Sequence, residues 1–438
     1  MAGIKPFRAI RYDEAIVGEL SKVTSPPYDV ISPEDRVYYH KLHPNNFVRL
    51  VLGEEFATDT DSDNRFTRAK RYLDEWLTSG ALKQDTEPAI FVYQQIFEPS
   101  PSPLSGGEGK GEGRKSVRGF TVAVKLQDYA DKVILPHENT LARPKGDLAA
   151  LIRQVKANLD CVYGVYADPS GALDAVMDKA MAAKPTEQAV DPSGVINRFW
   201  AVTDAAEIGK VQSFLADEQI AIADGHHRYE TALAYRDEMR DPSTGSGCCC
   251  GDCEFDYLMM TLINVYEKDL TIYPTHRVLA NVPEDALASL DENLMECFEA
   301  KASSKQTLIE DMAAEGAIGM YRPGKATILK PKAGVESLIR GSEASRKLEL
   351  NVLHKLILEK HLGIDDEKLR NQAHIAYTRD ADEALGLVDS GERQIAFLLN
   401  HIAVKAVLDI AAAGEKMPQK ATYFYPKLLS GLALRRLE

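Results

Sequence analysis

The chain has 438 residues, 45% hydrophobic and 27% charged, the composition of a folded globular protein and not of a disordered, collagen-like or coiled-coil chain. Its 52 Lys and Arg stand against 66 Asp and Glu, a formal net charge of −14, which disfavours nucleic-acid binding through bulk charge because phosphate neutralisation needs clustered cations. No run approaches about 20 apolar residues and the start shows no apolar leader core, so neither a membrane-spanning helix nor a signal peptide is expected.

The elements follow in chain order. Phe66, Ala69, Leu73, Trp76 and Leu77 recur at helical spacing, and Gly80 supplies a stop. Residues 89–97 and 117–126 run apolar and β-branched, as two strands of a hairpin whose tip is an insertion over 98–116 rich in Pro, Ser and Gly. A helix is expected over 148–159 with Asp147 as its cap. Strands follow at 161–166 and 199–202, then a helix at 206–216. A short apolar strand at 219–223 runs into Asp224-Gly225. A second insertion covers 241–254, and a buried strand follows at 257–265.

Beyond about Val282 the pattern changes. Helices are predicted over 284–298, 305–315, 348–361, 381–389 and 404–413, with strands at 318–321, 326–329, 374–377 and 395–399. The chain therefore divides into an N-terminal α/β region, 1–281, and a C-terminal α+β region, 282–438. The class is α+β.

Of six cysteines, four crowd at Cys248, Cys249, Cys250 and Cys253 inside the second insertion. That is no spaced disulfide framework, so a reducing cytoplasm is expected. A structural zinc site would want a second Cys-x-x-Cys pair beside Cys250 and Cys253.

The most informative segment is Ile220–Asp224 followed by Gly225-His226-His227-Arg228-Tyr229. A strand ends, a glycine permits an unusual turn, and a helix begins. A helix N-terminus offers N–H donors and a positive dipole end, a natural phosphate site. Arg228 in the first turn opposes that dipole, a conflict that a bound anion, or a carboxylate partner such as Glu230, would relieve. His226 and His227 are adjacent and point apart, which disfavours joint metal ligation. A second segment, 134–147, gathers His137, Glu138, Thr140 and Lys145, a mix that suits a general base with phosphate contacts or a solvated loop. Weaker clusters are Tyr28-Asp29, His276-Arg277 and the basic run around Lys420.

Seven blocks, in order, carry a resemblance: Phe7-Arg8-Ala9, Pro26-Pro27-Tyr28-Asp29-Val30-Ile31, Asn46-Phe47-Val48, Pro136-His137-Glu138-Asn139-Thr140, Ala223-Asp224-Gly225-His226-His227-Arg228-Tyr229, Pro274-Thr275-His276-Arg277 and Met417-Pro418-Gln419-Lys420. Together they resemble the family called domain of unknown function 1015 along nearly the whole chain, with departures in the two insertions and at Ala421. The Asp-Gly-His-His-Arg block also resembles the nucleotide-binding box of the ParB/sulfiredoxin-like superfamily, which includes sulfiredoxins, ParB-type proteins and free serine kinases.

The resemblance implies a ParB/sulfiredoxin-like core with large family-specific elaborations. It implies ATP or ADP with Mg²⁺, and phosphoryl transfer to a small hydroxyl compound, free L-serine first. His226 stands where sulfiredoxins carry their catalytic Cys, so that chemistry is not expected. Glu138, His227 and Arg228 are the expected catalytic groups. Asp224, Gly225, His226, His227, Arg228, Thr140 and Lys145 would hold the nucleotide. Asp29, His137, His276, Arg277 and Lys420 are secondary candidates, and no metal ligand is assigned. Two other readings stand beside this one: a nucleotide-binding regulator with slow turnover or none, and a metal-dependent hydrolase built on His137, His226 and His276.

Overall fold

Apolar β-branched runs build the centre of the molecule. In the computed structural model, which describes residues 2–98, 113–138, 142–241, 251–371, 373–418 and 420–438, Ile90–Phe97 and Lys115–Lys125 pair antiparallel from Phe91 opposite Thr121 to Phe97 opposite Lys115. The first insertion joins them. They lie inside a nine-stranded mixed sheet. Its order is Ile134–Leu135, Ile220–Asp224, Val162–Tyr166, Tyr257–Asn264, Lys115–Lys125, Ile90–Phe97, Ile196–Val202 and Glu187–Val190, with Ile4–Lys5 added beside Lys115–Lys125.

The sheet is covered on both faces. All eight residues of Tyr257–Asn264 are buried. Met259 and Ile263 join one apolar cluster and Leu258, Met260 and Leu262 another, the alternation of a strand with two packed sides. The first cluster takes Ala69, Leu73 and Trp76 from helix Arg65–Thr78 and continues through Ile272, Leu353 and Phe397. The second takes Val211 and Leu215 from helix Ala205–Ala216 and Tyr229 from helix His226–Arg240.

A second sheet of six strands has the order Phe298–Ser303, Lys325–Pro331, Ile318–Arg322, Ile395–Leu398, His276–Leu279 and Ile375–Thr378. Every pair in it is antiparallel. The chain end then pairs with segments outside both sheets. Tyr423–Tyr425 pairs with Thr271–Tyr273, Arg435–Arg436 pairs with Ala157–Asn158, and Ser430 and Leu434 bridge to Ser25 and Ile10.

Several elements differ from expectation. The helix predicted over 148–159 spans Ala142–Val155. Pro144 falls in its first turn, where a missing N–H is harmless, and Asp147 lies inside it. Residues 157–158 are drawn into a strand by the C-terminal segment. The helix predicted over 284–298 stops at Leu294, and Phe298 opens an edge strand whose other residues are largely solvent-facing, so no alternation announced it. No helix among the described residues is long and apolar enough to cross a membrane.

Candidate functional site

Strand Ile220–Asp224 ends at Gly225, which sits at φ 93° and starts helix His226–Arg240. Two facts require glycine there. The backbone is left-handed, and a Cβ would lie 2.9 Å from Nε of Arg228, whose guanidinium folds back beneath the turn. The helix has no side-chain cap and no acidic residue in its first turn, so its positive end is left uncompensated there by the usual Asp or Glu.

Strand Ile134–Leu135 runs parallel to Ile220–Asp224, with Ile134 opposite Ile220. Parallel neighbours end on the same side, so His137 and Glu138 emerge beside the Asp224 turn. Burial pushes the Glu138 carboxyl up to about 7, against the opposing pull of the Lys420 N–H and charge. The Lys420 backbone N–H donates to Oε1 of Glu138, and Met417 N–H donates to the His137 carbonyl at 2.7 Å.

Asp224 is the electrostatic centre. Nη2 of Arg228 lies 3.0 Å from its Oδ2 and Nζ of Lys427 lies 3.0 Å from its Oδ1. Burial alone would raise its pKa, but Lys427 and Arg228 outweigh burial and hold it well below the usual carboxylate range. Nη1 of Arg228 also donates to the Cys161 carbonyl at 2.5 Å. The conflict expected from a cation at the helix start is therefore relieved by Asp224 and not by Glu230.

A cleft of about 490 Å³ opens over this turn. The first sheet contributes Glu138 and Asp224 through Arg228, the N-terminal segment Tyr28 and Asp29, and the second sheet Thr275 and Tyr377 through Arg379. The C-terminal segment contributes Lys420, Thr422, Tyr423 and Lys427. The Tyr423 ring carries Arg379 at 4.0 Å on one contact and Lys427 at 4.6 Å on another.

Of the residues expected from sequence, Glu138, Asp224, Gly225, His226, His227, Arg228, Asp29 and Lys420 meet at the cleft. Thr140 lies outside the described residues, as do Cys248, Cys249 and Cys250. Lys145 pairs with Glu230 on the flank of the helix and is not among the residues that line the cleft. The guanidinium of Arg277 is fully buried, donating to the carbonyls of Thr275 and, at 3.1 Å, of Lys420. It props the Lys420 turn from beneath. Sequence reasoning did not assign Lys427, Arg379 or Thr422. Lys427 stood in a basic run with no spacing to single it out, and only its burial against Asp224 does so.

The three histidines of the hydrolase reading are engaged by the protein. Burial lowers His137 to about 4, with Nδ1 2.5 Å from the Ile222 carbonyl and Nε2 2.9 Å from Thr422 Oγ1. His226 is buried too, and its Nε2 accepts the His137 N–H at 3.3 Å. His276 is lowered to about 3, first by burial and then by Arg277, and its Nδ1 accepts the Leu399 N–H at 3.2 Å. Among the described residues they form no common set of metal donors. Cys253 is disulfide-bonded and offers no thiolate.

The family model described as protein of unknown function, DUF1015, matches residues 4–353. The chain belongs to this family. No curated protein matches this DUF1015 protein. Among solved structures it is similar to a free serine kinase in complex with AMP, at 14% identity and TM-score 0.35, over 69% of this chain and 86% of that one. A conserved hypothetical protein from Pyrococcus furiosus is similar at 12% identity and TM-score 0.36, over 72% and 95%. SbnI from Staphylococcus aureus, truncated at its C-terminus, is similar at 12% identity and TM-score 0.36, over 72% and 86%.

Proposed function

We propose that this DUF1015 protein is a nucleotide-dependent phosphotransferase acting on a small hydroxyl compound, with free L-serine the first acceptor to test. One observation carries the reading: a carboxyl poised at about 7, Glu138, shares a cleft with the N-terminus of helix His226–Arg240, whose first turn holds no acidic residue. A base of that pKa suits deprotonation near neutral pH, and a helix N-terminus suits phosphate.

On this reading the Asp224–Arg228 turn is a phosphate box of the ParB/sulfiredoxin-like kind, and ATP or ADP is the donor. Phosphoryl transfer asks mainly for positioning and charge stabilisation. The cleft residues His227, Arg228 and Lys427 surround the transferring group. Glu138 takes the proton of the acceptor hydroxyl as its oxygen bonds to phosphorus and the nucleotide leaves. Mg²⁺ would neutralise phosphate oxygens. Asp29 is the cleft carboxylate that suits it, because Glu138 is the base and Asp224 is taken up by two cations.

The test is incubation with ATP or ADP, Mg²⁺ and a panel of hydroxy amino acids, followed by phosphorus NMR. A new phosphomonoester signal is expected, with Glu138→Gln about 10²–10⁴-fold slower. No phosphorylated acceptor anywhere in the panel overturns the kinase reading. The second reading, a nucleotide-binding regulator, draws on the engagement of Arg228 and Lys427 by Asp224, which satisfies both cations within the protein. Tight nucleotide binding with no product selects it.

A further inference from the structure

We propose that Glu296, Cys297 and His361 form a site for a thiophilic divalent cation, zinc by the chemistry of its donors. The site is independent of the cleft and of the phosphotransferase reading. One carboxylate oxygen, the thiol sulfur and one imidazole nitrogen lie within 4.8 Å of one another. Glu296 and Cys297 occupy the turn between helix Glu284–Leu294 and strand Phe298–Ser303, and His361 belongs to the helical turn Lys360–Leu362.

Three independent features support a cation there. Cys297 is only 1% exposed and is a free thiol. His361 presents a buried Nε2 with no hydrogen-bond partner, a polar atom whose desolvation goes uncompensated. The neighbouring ammonium of Lys360 already sits where a positive charge is wanted, 2.7 Å from Oε1 of Glu296 and 3.7 Å from Sγ of Cys297. A divalent ion would displace it.

The donor set selects the metal. Thiolate and imidazole suit zinc and its tetrahedral shell, whereas Mg²⁺ and Ca²⁺ want oxygen donors. Three protein donors leave a fourth position for water, on the side where the Glu296 side chain is 62% exposed. The ion would tie the Lys360–Leu362 turn to the start of an edge strand, so binding adds to folding stability.

The test uses the full chain under reducing conditions. Cobalt(II) is titrated while thiolate-to-cobalt charge transfer is followed, and zinc affinity is measured by competition with a chromophoric chelator. We expect a charge-transfer band that persists when Cys248, Cys249, Cys250 and Cys253 are all replaced by Ser. Cys297→Ser should abolish it, and His361→Ala should weaken zinc binding about 100-fold. Lys360→Ala, which removes the competing ammonium without touching a donor, should tighten binding. No band in the unaltered chain, or a band that survives Cys297→Ser and His361→Ala, overturns the proposal. If Cys297→Ser fails to fold by circular dichroism, His361→Ala and Lys360→Ala, with opposite expected signs, decide it.

Discussion

Lys427 reaches Asp224 across 203 positions of sequence, Nζ to Oδ1 at 3.0 Å. Asp224 ends a strand of the first sheet and Lys427 lies near the chain end, so this pair closes the C-terminal segment over the Asp-Gly-His-His-Arg turn. Burial would discharge Lys427, and the charges of Asp224 and Asp29 outweigh it and raise its pKa.

Asp224→Asn leaves Arg228 and Lys427 without their shared counter-charge. Removing one partner of a buried ion pair costs about 3–5 kcal/mol, so a large fall in Tm is expected by scanning calorimetry. Lys427→Met should cost less, because Arg228 still holds Asp224. A double-mutant cycle that shows no coupling between positions 224 and 427 contradicts this account.

Gly225→Ala places a Cβ at φ 93° and 2.9 Å from Arg228 Nε. A loss of about 1–3 kcal/mol is expected, together with weaker nucleotide binding by isothermal calorimetry, since the guanidinium must leave the turn.

With Glu138 as the base, as proposed above, its carboxyl sets the pH dependence of the transfer reaction. Its carboxyl is raised by burial from 4.5 to about 7, and a base works only when ionised. kcat/KM should therefore rise with pH and level off above about 7. Glu138→Gln should be low and flat across the same range. A wild-type profile whose limb sits near 4.5 would remove Glu138 from the chemistry.

Stability should peak in mildly acid solution. Burial raises Glu138 and Glu349 to about 7 and Glu187 to about 8 from 4.5. The native state then holds protons that the unfolded chain has released, so their contribution is full below 4.5 and is lost as pH rises through 7 to 8. His137 and His276 are lowered to about 4 and about 3 from 6.5. Their contribution is full above 6.5 and is lost as pH falls. The two slopes oppose each other between 4.5 and 6.5, and outside that window one acts alone. Tm measured from about pH 4 to pH 9 should be highest inside it, and Glu187→Gln should flatten the alkaline side.

Periodicity made helix Arg65–Thr78, helix Ala381–Asp389 and the strands around the first insertion readable in the sequence. Each buries a regular stripe, and a regular stripe is a local property. The same holds for the Asp224-Gly225 turn, where an apolar strand, a glycine and a helix follow one another directly. Edge strand Phe298–Ser303 was hidden because its exposed residues carry no alternation, and strand Ala157–Asn158 because its partner comes from the end of the chain.

Residue types and their order along the chain were enough to single out Glu138 and Asp224 through Arg228, which the fold brings to one cleft. They could not rank the cations. Lys145, Arg277 and Lys427 look alike in a sequence, yet one pairs on a helix flank, one is buried as a prop, and one reaches Asp224 in the cleft. That division depends on which side chains are removed from water and which carboxylate each then meets. Both are long-range properties of the folded chain, because a charge acquires a large shift only where packing lowers the dielectric around it.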